Sequence, residues 1–142
     1  MKGTQADLNW LADPKVFAVN RLNAYSDHSY YLDIDKALNG DAMELKQSLN
    51  GRWYFNYAKN PNERFVDFYK EDIDCHYFDM IDVPGHIQMQ GYDQMQYINT
   101  LYPWDGHEKL RPPHISSDDN PVGSYVCYFE VNEALKNKTT RL

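Results

Sequence analysis

Alternation is the main periodic signal in this chain. In RWYFNYA, residues 52–58, the large residues Trp53, Phe55 and Tyr57 fall on one side, the two-residue period of a half-buried strand. FDMIDV, residues 78–83, repeats the pattern, with Phe78, Met80 and Asp82 opposed to Ile81 and Val83 before Pro84 stops it. GSYVCYFEV, residues 123–131, predicts a third strand: Tyr125, Cys127, Phe129 and Val131 point one way, Val126, Tyr128 and Glu130 the other. A helical period is nowhere sustained. ALNGDAMELKQSLNG predicts only a short helical turn after Asp41, ended by Gly51, and the first fifty residues read as loops with extended pieces such as VFAVNRL.

These elements predict an all-β class, an antiparallel sandwich. Three or four strands leave an apolar face and two edges uncovered. The end of the chain, NKTTRL, reads as the opening of another strand after the turn NEALKNK. The expectation is therefore a piece of a longer chain with an incomplete sandwich. No internal repeat or low-complexity segment is present.

Length and composition narrow the picture. The 142 residues suffice for one domain with an ordinary core. Twelve tyrosines suit half-wet surfaces such as interfaces and sugar sites, and also suit strands. A formal net charge of −7 without a basic stripe argues against nucleic acid, because phosphate binding needs clustered Lys and Arg. The start, MKGTQADLNWLADPK, has no apolar export region, and no apolar run is long enough to span a membrane. A cytoplasmic protein is expected, with Cys75 and Cys127 as free thiols. Cys75 beside His76 lacks CxxC or HxxxH spacing and predicts neither a metal site nor a dyad. The NKT at Asn137 has no meaning as a glycosylation site without secretion.

Candidate chemistry concentrates between the second and third strands. VPGHIQMQGYDQMQYINTLYPW, residues 83–104, strings Tyr92, Tyr97, Tyr102 and Trp104 between Gly and Pro breaks, interleaved with Asp93, Gln96 and Asn99. So long a connector in a compact domain is either functional or a misread element. It stays rigid without a ladder if its rings pack on a neighbour and its amides and carboxylates bond backbone groups. Asn99 either caps the turn before Tyr102 and Pro103 or binds a ligand through an amide that accepts and donates at once. The acidic residues Glu71, Asp72, Asp74, Asp118 and Asp119 sit in polar turns and read as solvated, not catalytic.

Five motifs in order, NRL at 20–22, SLNGRWYF at 48–55, VPGHIQMQGYD at 83–93, YINTLYP at 97–103 and DNPVGSYVCYFEV at 119–131, resemble the amino-terminal region of the large bacterial β-galactosidases of glycoside hydrolase family 2. The resemblance implies a jelly-roll, galactose-binding-like antiparallel β-sandwich at the head of a retaining glycosidase. It divides the chain into an extended arm over residues 1–45 and the first part of the sandwich over residues 46–142. It implies that Asn99 hydrogen-bonds galactosyl hydroxyls, that the loop walls the pocket, and that His86 is structural. The catalytic carboxyl pair then lies in a barrel further along, and this stretch alone is expected to be inactive.

The resemblance also implies magnesium and sodium in the full-length enzyme, held chiefly by later domains, with none expected on this stretch. Some members bind a structural magnesium near the start of the chain. Asn9, Asp13 and the carbonyl of Val16 stand at comparable places, with Asn where an acid is usual. A β-galactoside such as lactose, the remaining domains of the same chain and further copies in a homo-oligomer are the implied partners. Trp10, Phe17, Tyr25, Tyr30 and Tyr31, scattered through loop-like sequence, fit an arm that packs on a neighbouring subunit. The competing reading is a free-standing, non-catalytic carbohydrate-binding module with the same loop as a stacking platform.

Overall fold

The computed structural model describes residues 7–26, 28–96, 99, 103–106 and 108–142. These divide into two compact units, one of the described residues up to Leu22 with Gly51–Val126, the other of Asn23–Asn50 with Cys127–Leu142.

The first unit is built on an open three-stranded antiparallel sheet of β1 (Gly51–Ala58), β2 (Asp79–Val83) and β3 (Val122–Val126), in the order β2-β1-β3. The all-β class stands. β1 is central because it alone carries a long aromatic alternation, and each neighbour covers part of it. β2 pairs from Gly51↔Val83 to Phe55↔Asp79, and β3 from Tyr54↔Val126 to Ala58↔Val122. With this register Trp53, Phe55, Tyr57, Ile81, Asp79 and Tyr125 share one face, since residues two apart on a strand point the same way. Phe55 and Ile81 on that face are fully buried, and burying each contributes roughly 1.5–3 kcal/mol. Phe78, just ahead of β2, is also buried and meets Phe65 edge-on at 5.4 Å.

Two expectations need correction. The third strand ends at Val126, five residues earlier than the alternation through Val131 suggested. β1 pairs with β3 only from Tyr54 onward, and Arg52 and Trp53 pair with β2 alone. Cys127–Val131 therefore continue outside the ladder. The helical turn lies before Asp41, not after it: α1 spans Ile34–Asn39. Asp33 caps it by accepting the Lys36 N–H at 2.9 Å, and Gly40 closes it with φ +69. Both are the standard start and stop signals of a short helix.

In the second unit, the Gln47 side chain donates to the Glu130 carbonyl at 2.8 Å and accepts the Asn132 N–H at 2.9 Å. Lys36 pairs with Glu44, and the Arg141 guanidinium lies 5.5 Å from the Tyr25 ring centre. In the first unit, VFAVNRL, residues 16–22, forms bends and loop and joins no ladder.

Candidate functional site

The long connector begins where Pro84 ends β2. A 3-10 turn follows over Ile87–Gln90, and Gly91 closes it at φ +94, a conformation L side chains rarely adopt. The Tyr92 N–H then bonds back to the Ile87 carbonyl at 3.1 Å. This reversal lays Tyr92 onto the aromatic face of the sheet. Its ring meets Phe55 edge-on at 4.7 Å and Tyr57 at 6.0 Å, and Phe55 in turn lies 4.8 Å from Tyr125. Its hydroxyl donates to the Asp79 carboxylate at 2.7 Å.

Upstream, the Gln90 amide bonds both backbone groups of Asp82. Oε1 accepts the N–H at 2.7 Å and Nε2 donates to the carbonyl at 3.0 Å. Gln88 reaches Asp93 at 3.3 Å. The two devices expected of a rigid loop without a ladder, ring packing and side-chain bonds to backbone, are thus both present.

The connector is fastened again at its far end. Trp104, at φ +70, donates its indole N–H to the Asp119 carbonyl, and its own carbonyl accepts the Glu108 N–H at 2.9 Å. Buried Ser116 organises the turn that receives it: its hydroxyl accepts the Asp118 and Asp119 N–H groups and donates to Glu108. Three residues past Asp119, β3 begins. The connector therefore leaves one edge strand of the described sheet, β2, and is tied down beside the other, β3. A cavity of about 250 Å³ lies against this second anchor, lined in part by Trp104, Glu108, Leu110, Pro112 and His114.

Electrostatics record the same geometry. Burial raises the Tyr57 phenol above its ordinary value, aided by the charges of Asp93 and Asp119, one from each end of the connector. Burial likewise raises Tyr92, followed by its bond to Asp79 and the charge there. In both cases the low-dielectric surroundings and nearby carboxylates disfavour a phenolate.

Asn99 sits in a bend between the two anchors and is exposed. Of the aromatic wall residues singled out with it, Tyr97 and Tyr102 lie outside the described residues, whereas Trp104 is half-buried as a wall. His86 is exposed at the head of the 3-10 turn and makes no capping bond through its side chain. Glu71, Asp72, Asp74, Asp118 and Asp119 are all exposed, with Asp74 closing a local turn onto the His76 N–H at 2.9 Å. Cys75 and Cys127 are free thiols.

At the start of the chain, Asp7 and Asp13 accept the N–H groups of Asn9 and Lys15, each at 2.9 Å. Asn9, Asp13 and the Val16 carbonyl offer one carboxylate, which accepts the Lys15 N–H, and two neutral oxygens. Among the described residues no group of three or more His, Cys, Asp or Glu stands together.

Sequence reasoning missed Gln90 and the Tyr92–Asp79 bond. A signal for the second was available: Asp79 alternates with Ile81, which puts a carboxylate acceptor on the same face as the aromatic rings.

The first unit is thus an antiparallel sheet with Tyr92 packed on its aromatic face. The family model for glycosyl hydrolases family 2, sugar binding domain, matches residues 46–142, and the chain belongs to that family, whose domain is of β-sandwich type. It is 53% identical over 140 residues to a beta-galactosidase of Clostridium acetobutylicum, covering 99% of this chain and 16% of that protein. It is 54% identical over 134 residues to a beta-galactosidase of Halalkalibacterium halodurans, covering 94% and 13%. With the beta-galactosidase large subunit of Leuconostoc lactis the identity is 49% over 146 residues, covering 94% and 23%. The chain thus spans less than a quarter of the length of these relatives. Among the described residues no helix is long and apolar enough to cross a membrane.

Proposed function

We propose that this chain is the amino-terminal sugar-binding region of a retaining β-galactosidase that hydrolyses terminal β-D-galactosides such as lactose, and that Asn99 supplies part of the galactosyl pocket. The observation that carries the reading is the 53% identity with a beta-galactosidase across 99% of the chain. The position of Asn99 between the two anchors supports its role, and its amide can accept and donate at once, as a vicinal diol requires.

A retaining glycosidase needs two carboxyl groups about 5–5.5 Å apart, one as acid and one as nucleophile. On this reading they belong to polypeptide beyond this chain, as do the ligands for the magnesium and sodium of the full-length enzyme. The chain's own part is to bind and orient. The enzyme is cytoplasmic and homo-oligomeric in this proposal, the exposed Phe17, Tyr25 and Tyr30 suiting a subunit contact.

The test is Asn99→Ala in the full-length protein, assayed on an aryl β-galactoside. Losing two neutral hydrogen bonds to substrate lowers kcat/KM by about tenfold to a hundredfold. Unchanged kinetics in that variant would remove Asn99 from the pocket.

A further inference from the structure

We infer that Gln90 is a positioning residue for Asn99, acting as a one-rung strand surrogate on the edge of β2; the inference rests on the reading of Asn99 as a galactosyl-binding residue. β2 is an edge strand of the described sheet, and the Asp82 N–H and carbonyl are both taken by Gln90, at 2.7 and 3.0 Å. A primary amide offers an acceptor and a donor side by side, as a neighbouring strand would. No other side chain of that length does so at neutral pH, since Glu cannot donate when ionised and Met does neither.

The chain is shaped around this contact. Gly85 leaves the space for it: a Cβ at that position would lie 2.5 Å from Gln90 Nε2 and 2.8 Å from the Asp82 carbonyl oxygen. Two residues after Gln90, Tyr92 is tied to Asp79 at 2.7 Å. The connector is therefore fixed to β2 at two points, Asp82 and Asp79. One attachment alone would act as a hinge, whereas two fix the direction in which the chain leaves Tyr92. Tyr92 sets where the connector starts and Gln90 sets its heading.

The experiment uses the full-length protein and an aryl β-galactoside. Gln90→Met removes both bonds at nearly constant length, and Gln90→Glu keeps the length and the acceptor but loses the donor. Each lowers kcat/KM, Gln90→Met by about tenfold, the worth of two neutral hydrogen bonds, while the thermal midpoint of the full-length protein stays close to that of the parent. The deciding readout is the same substitution placed on Asn99→Ala, where a residue acting through Asn99 causes no further loss.

Equal fold-losses in the two backgrounds show a merely structural role and overturn the inference, as does a kinetically silent Gln90→Met. Should Gln90→Met fail to accumulate as folded protein, Gln90→Glu decides on the same criterion. An Asn99→Ala variant with parental kcat/KM instead strikes the pocket reading itself, so the two failures are told apart.

Discussion

Deleting only the Tyr92 hydroxyl separates the polar from the apolar half of the connector's first anchor. The bond removed by Tyr92→Phe is 2.7 Å long and ends on a carboxylate. Hydrogen bonds to charged groups contribute about 1.5–3 kcal/mol, but Asp79 is exposed and Tyr92 only half-buried. Competition from solvent reduces this to about 1 kcal/mol. The ring stays against Phe55, so the aromatic pairing, about 0.5–1.5 kcal/mol, survives. Tyr92→Ala loses that as well as the buried ring area and costs about 3 kcal/mol.

Amide hydrogen exchange of residues 79–96 in the full-length protein measures the opening directly. Tyr92→Phe should exchange about fivefold faster than the parent and Tyr92→Ala about a hundredfold faster. Combining Tyr92→Phe with Asp79→Ala should add little to either, because both delete one bond. Additive effects, or parental exchange in Tyr92→Phe, would refute the assignment and leave the ring as Tyr92's hold on the sheet. The sign in pH follows from the raised phenol. The folded state holds this proton more tightly than the unfolded chain, so the contribution is whole below about pH 10 and is lost as pH rises through the higher folded value. Tyr92→Phe lacks that alkaline loss.

Two further outcomes test the scaffold beneath the connector. Phe55→Ala empties the centre of the aromatic face, where Phe55 is fully buried, and should cost about 3–5 kcal/mol, seen as loss of exchange protection across β1 and as reduced soluble yield. Gly91→Ala forces an L side chain to φ +94, costing about 1–2 kcal/mol; its exchange should rise at 87–93 while β1 stays protected.

How much was legible in advance differs element by element. β1 and β2 were readable because their alternation coincides with burial: Phe55 and Ile81 are at once periodic and buried. The same rule overran in the third strand. Residues 127–131 keep the alternation but not the partner, and period two reports an extended backbone, not a hydrogen-bonded one. The helix was misplaced because Asp33 and Gly40 frame only six residues, too few for a period to show.

The sequence alone determined the class, the first two strands and the family, because these depend on local periodicity and on motifs kept in order. Tertiary structure decided where the connector is held. The contacts of Gln90 with Asp82, Tyr92 with Asp79 and Trp104 with Asp119 join residues 8, 13 and 15 positions apart. Such separations match no helix or strand period. They are set by the pairing of β1 with both neighbours, which brings the two ends of the connector to opposite sides of one aromatic face.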